Sequence, residues 1–296
     1  MDYRQSSFST PSQNAYNRQP YSVEQQQYRQ AQGPVPQFEQ RQQQVLAPQI
    51  QYQRETVRTT ERYVIDDKPD YSQLRIKYLS EFLGTLLLTF MTCLGNTQNE
   101  FLQVGITRGL CVMAVTHIFG PFSEAHVNPV VTTASLILGR MRLLEGLFYI
   151  VAQILGGIFG HLLLRILETD QLHIDTEFTM CLSKVNSLFY EWQAFSIEII
   201  LSFIIVMAYC VIWDPKNEKM KNNAPLTLGL VVTVLSLIGL NISSSCMNPV
   251  RAVTIYVIVT DEHAEDIWVY ICGPLIGAIV SAVCYRFVFL KNQPQN

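Results

Sequence analysis

Two Asn-Pro dipeptides, each opening a short apolar run between much longer ones, constrain this chain more than any other feature. The first lies in Ser123-Glu124-Ala125-His126-Val127-Asn128-Pro129-Val130, the second in Cys246-Met247-Asn248-Pro249-Val250-Arg251. Asn is a preferred N-cap. Pro is favoured at the first helical position, where its fixed φ suits the helix and its missing N–H costs nothing. The runs that follow, Val130 to Leu138 and Ala252 to Val259, suffice for a short helix and are too short to cross a bilayer. One Asn-Pro alone would mark only a turn. Two in matched contexts predict half-helices whose positive ends meet near the membrane midplane, the arrangement of a pore.

The chain has 296 residues, a net charge of -3 and 15% charged residues. Its mean hydropathy of +0.16 averages two populations. Residues 1–70 are rich in Gln, Tyr, Ser and Arg and hold no sustained apolar run. Such a segment buries too little apolar surface to fold and is expected to be a disordered tail without a cleavable signal peptide. It is either a solvated leader or a docking segment for a cytoplasmic partner. Residues 71–290 suffice for one helical bundle, and 291–296 form a short C-terminal tail. Seven cysteines form no CxxC or His-paired metal spacing and read as small core residues. Of these, Cys181 and Cys246 are expected to be reachable from water.

Apolar runs of roughly 17–25 residues give six spanning candidates. They cover about 77–95, 104–122, 143–167, 193–213, 225–242 and 267–290. Basic residues (Arg75, Lys77, Arg140, Arg142, Lys216, Lys219, Lys221, Arg286, Lys291) cluster at one set of ends. The opposite loops hold Glu168, Asp170, Asp175, Glu177, Asp261, Glu262, Glu265 and Asp266. The positive-inside rule then places both termini in the cytoplasm, with the plasma membrane as the expected location.

An internal repeat is visible. Glu81 and Glu198 lie 117 positions apart, Asn128 and Asn248 lie 120 apart, and Tyr149-Ile150 and Tyr270-Ile271 lie 121 apart. Each half holds three full spans, an odd number, so the second copy enters the membrane inverted. One half-helix then comes from each face, and the Asn caps face one another. The expected fold is all-α: six spans plus two re-entrant half-helices.

Two half-helix dipoles ending at the midplane repel cations. Asn128 and Asn248 retain amide N–H groups that donate into a lumen, where water held by both must present its oxygen. Glu81 and Glu198, costly inside a membrane, are expected to accept hydrogen bonds from the re-entrant loops; the alternative is a proton relay in a coupled transporter. Arg251, one turn beyond Asn248, is expected at an outer constriction, or else in a structural ion pair. Gly156 and Gly160 suit a close helix crossing.

Over residues 75–290 the chain resembles the aquaporin, or major intrinsic protein, family. The resemblance rests on Ser80-Glu81-Phe82-Leu83-Gly84-Thr85, the two Asn-Pro segments and Trp268-Val269-Tyr270-Ile271-Cys272-Gly273-Pro274. It implies a homotetramer with one pore per subunit. His126 would support the first re-entrant loop, although by itself it also reads as a buried, hydrogen-bonded histidine. Carried over from the Asn-Pro motifs, the family's outer filter falls on Arg108, Ser236, Ser245 and Arg251. Water-selective members usually have an aromatic, a His, a small residue and Arg there. Arg108 either lines the mouth or snorkels toward headgroups or an acidic loop. Asn-Pro-Val replaces the usual Asn-Pro-Ala in both halves, and the added bulk is expected to shift or narrow the lumen. Glu124 stands where a small Gly is usual and is expected to disturb that loop's packing.

No phosphate loop, nucleophile–base pair or metal cluster stands out, and no basic balance suggests nucleic acid. The expectation is a passive water channel in a lipid bilayer, without cofactor and not an enzyme. The alternatives are a wider pore for glycerol or another small neutral solute, and a poorly conducting relative acting in adhesion or scaffolding through its tail.

Overall fold

The computed structural model describes residues 71–95, 101–167, 182–258 and 265–290. The tail over 1–70, residues 291–296, Cys181 and most of the two acidic loops lie outside the described residues. Helices α1 (Tyr71–Leu94), α2 (Phe101–Ser123), α3 (Pro129–Ile137) and α4 (Leu143–Leu167) make the first repeat. Helices α5 (Glu191–Trp213), α6 (Glu218–Lys221), α7 (Ala224–Ser243), α8 (Pro249–Ile258) and α9 (Ile267–Cys284) make the second, and a π-helical stretch, Tyr285–Leu290, extends α9.

Among the described residues, five helical segments are long and apolar enough to cross a membrane: α2, α4, α5, α7 and 267–290. The first candidate span is the exception. Helix α1 is as long, at 24 residues, but carries Arg75, Lys77 and Glu81. Lys77 is paired with Glu145 of α4 at 2.9 Å, and Glu81 is fully buried among donors.

The packing repeats the sequence symmetry. Helix α1 packs on α4 as α5 packs on α9, and α2 crosses α7 between the repeats. Each half-helix leans on the last helix of the other repeat, α3 on α9 and α8 on α4. Small residues permit these approaches. A Cβ on Gly156 would meet the Phe82 carbonyl of α1, and one on Gly277 would meet the Ile199 carbonyl of α5. Gly157 faces α8, where a Cβ would meet Val250 and Thr254. The largest core cluster joins α3, α5, α7 and α9 around Val130, Leu201, Leu228 and Ala278.

The two turns before the half-helices share one backbone pattern. Glu124, Ala125 and Val127 have positive φ, as do Ser244, Ser245 and Met247. These sets are offset by 120, like the two Asn residues. Left-handed backbone at Val127 (φ 42) is strained for a β-branched residue and persists only where surrounding contacts hold it.

Candidate functional site

Each half-helix begins with the cap its sequence calls for. Asn128 Oδ1 accepts from Val130 N at 2.9 Å, and Asn248 Oδ1 accepts from Val250 N at 3.1 Å. The amide groups then reach across the repeat boundary. Asn128 Nδ2 donates to the Met247 carbonyl at 2.8 Å, and Asn248 Nδ2 donates to the Val127 carbonyl at 3.0 Å. Each NH2 carries two N–H groups, so one remains on each Asn. Both residues line the same cavity.

Buried carboxylates brace the turns from behind. Glu81 accepts from the backbone N–H groups of His126 (2.9 Å) and Val127 (2.7 Å), from Ser123 Oγ (2.6 Å) and from Gln153 Nε2 (2.7 Å). Glu198 accepts from Cys246 N and Met247 N, both at 2.8 Å, and from Ser243 Oγ at 2.6 Å. Ser123, Ser243 and Gln153 were not singled out in the sequence. The serines' own offset of 120 would have found them, whereas Gln153 has Pro274 at its repeat position and gives no such signal. His126 is buried against Tyr149 and Trp213, its Nδ1 lies 3.2 Å from Thr132 Oγ1, and it borders the cavity.

The cavity leaves about 70 Å³ to the centres of water molecules. Leu88, Val112, Val131, Ile205 and Val232 form its apolar wall. Its lining also holds Arg108, Ser236, Ser245 and Arg251, with Ser245 Oγ donating to the Ser236 carbonyl at 3.1 Å. Arg108 does not snorkel: it is 4% exposed and donates to the carbonyls of Ser244 (2.7 Å) and Ser245 (3.4 Å). Both carbonyls belong to the left-handed turn of the second repeat, a position only the tertiary fold supplies.

Two sequence expectations fail here. Val130 and Val250 are buried and take no part in lining the cavity. Val130 packs in the α3–α5–α7–α9 core, and Val250 packs against Gly157 of α4. Their bulk points away from the lumen because the Asn cap, not the residue after Pro, faces inward. Glu124 does not disturb its loop either. Its side chain is 52% exposed and paired with Arg140, whose Nη2 reaches both carboxylate oxygens at 3.0 Å.

A second space, about 380 Å³ for water centres, is bordered by His117, Glu124, Arg140, Trp213 and Lys221. Arg140 lies over the Trp213 ring, 4.8 Å from its centroid. Tyr209 borders both cavities and so stands between them.

Membrane-crossing helices, two facing half-helices and a lumen between them define a membrane channel. The family model described as major intrinsic protein matches residues 70–285. The chain is 32% identical to aquaporin-2 of Ovis aries over 216 residues, 71% of this chain and 77% of that protein. It is 30% identical to glycerol uptake facilitator protein-like 6 of Lactiplantibacillus plantarum, over 71% of this chain and 96% of that protein. The X-ray structure of the aquaglyceroporin from Plasmodium falciparum superposes with a TM-score of 0.63 at 22% identity, covering 74% of this chain and 98% of that one. The chain belongs to the major intrinsic protein family. It is an integral, multi-pass membrane protein and a passive channel for water or small solutes, not an enzyme.

Proposed function

We propose that the principal permeant is water, moving down an osmotic gradient through this lumen. The observation that carries the reading is the convergence of two Asn amides and four polar filter side chains, Arg108, Ser236, Ser245 and Arg251, on one narrow cavity. A water molecule held by the remaining N–H groups of Asn128 and Asn248 turns its oxygen toward them, which interrupts a proton wire. The half-helix N-termini and the two guanidiniums reject cations. Glu81, Glu198 and His126 hold the turns that aim the Asn side chains.

Water is favoured over glycerol because this ring offers guanidinium and hydroxyl groups and no aromatic face. The CH groups of a polyol would lose their hydration there without gaining an apolar partner. The second reading, a pore for glycerol or another small neutral solute, rests on Ser236, whose small side chain widens the ring.

The same reading places both termini in the cytoplasm at a plasma membrane and one lumen in each subunit of a homotetramer. It treats residues 1–70 as a tail, open to a cytoplasmic partner, outside a 71–290 channel domain. Light scattering from liposomes tests it. Fast shrinkage against an impermeant solute with slow glycerol re-swelling supports water, and fast re-swelling supports the wider pore. Wild-type protein indistinguishable from empty liposomes in both would favour a poorly conducting protein acting through its tail.

A further inference from the structure

Building on the channel reading above, we propose that the outer filter is also a binding site for a small monovalent oxyanion, of the nitrate or bicarbonate type, which competes with water. Arg108 on α2 and Arg251 in the first turn of α8 enter one cavity from different repeats. They are 4% and 7% exposed. Neither is in an ion pair among the described residues, where the pairs are Lys77 with Glu145 and Arg140 with Glu124. The carboxylate facing both, Glu198, already accepts from Ser243, Cys246 and Met247. Among the described residues, positive charge is therefore in surplus around these two side chains.

Polar atoms there also lack partners. Arg108 Nη1 is occupied by the Ser244 and Ser245 carbonyls, but its Nε, the Nε of Arg251 and Ser236 Oγ have no hydrogen-bond partner among the described residues. Buried donors without acceptors carry a desolvation cost that a bound acceptor relieves. In a guanidinium, Nε and Nη2 share one edge of the fork, and that edge matches two oxygens of a planar oxyanion. A halide meets the charge and leaves the fork geometry unused. Elsewhere in the lining, Val112, Val131, Ile205 and Val232 offer an anion no donor, and the single N–H left on each of Asn128 and Asn248 carries no formal charge. The two guanidiniums make the filter the anion's strongest site, and an anion held there obstructs water.

The test is osmotic shrinkage of liposomes holding the full chain, with gluconate replaced stepwise by nitrate at constant osmolarity. Wild type, Arg108→Gln and Ser236→Ala are compared, each against its own rate in gluconate. Nitrate is also titrated calorimetrically into the detergent-purified wild type. With a Kd of about 10 mM, about 100 mM nitrate fills roughly nine-tenths of the sites, and wild-type water permeability falls about tenfold. Arg108→Gln loses that saturable dependence and Ser236→Ala weakens it several-fold. Wild-type permeability above that of empty liposomes yet flat in nitrate overturns the proposal. So does a nitrate dependence that Arg108→Gln retains. A wild type equal to empty liposomes in gluconate sinks the channel reading instead, and the calorimetric titration then decides the anion site alone.

Discussion

Glu81→Gln probes how the first half-helix is held, and its effect can be worked from the contacts. Glu81 presents two oxygens to four donors: Ser123 Oγ and His126 N on Oε1, Val127 N and Gln153 Nε2 on Oε2. Four donors on two oxygens suit a group that only accepts. Gln keeps one oxygen and turns an NH2 toward the other two donors. Whichever way the amide is oriented, one backbone N–H, of His126 or Val127, loses its acceptor inside a dry core. Hydrogen bonds to a charged group contribute about 1.5–3 kcal/mol each, so losing two costs on the order of 3–6 kcal/mol. In a domain of this size each kcal/mol moves Tm by about 2–4 °C, which gives a fall of about 6–24 °C. Val127 stands at φ 42 within that turn, so the released backbone relaxes and carries its carbonyl away from Asn248. Thermal unfolding in detergent and osmotic shrinkage in liposomes should therefore both report a loss. A variant melting within about 2 °C of wild type, with unaltered water flux, would refute the bracing role.

Because Val130 and Val250 are buried away from the lumen, Val130→Ala and Val250→Ala should lower stability by about 1–3 kcal/mol and leave water flux per channel unchanged, measured by unfolding and by liposome shrinkage. Gly156→Ala places a Cβ against the Phe82 carbonyl and should cost about 1–3 kcal/mol through overpacking of α1 on α4; an unfolding curve like that of wild type would contradict this crossing. The Glu124–Arg140 pair is solvent-exposed, so Glu124→Ala should change stability by no more than about 1 kcal/mol at low salt and less at high salt. Asn128→Ala removes both the helix cap and the amide bond to Met247, and a loss of about 1–2 kcal/mol is expected from the cap alone, read as a lower Tm.

Much of the fold is legible in the sequence because its signals are local. A 20-residue apolar run becomes a spanning helix wherever it sits, and Asn before Pro caps a helix from its own two residues. Counting three full spans per half yields the inversion with no coordinates at all. Helix α1 gives the weakest signal: Arg75, Lys77 and Glu81 lower its apolarity, and partners distant in sequence, Glu145 and Gln153, accommodate two of them.

The site was legible in its residue types and much less in its directions. Nothing local tells Val130 from Val131: both pack in the core, yet only Val131 also borders the lumen. Arg108 reads equally as a snorkelling side chain or a lining one. The Ser244 and Ser245 carbonyls that draw it inward come from a turn 136 and 137 residues away. Gln153 joins Glu81 to Thr132 only after α4 has packed on α1 and α3. By itself the sequence determined the helices, the two capped half-helices and their inverted pairing, since each follows from hydrophobic length, cap chemistry and parity. The tertiary structure alone decided which side chains face the lumen, because that depends on helix rotation and on acceptors contributed by the opposite repeat.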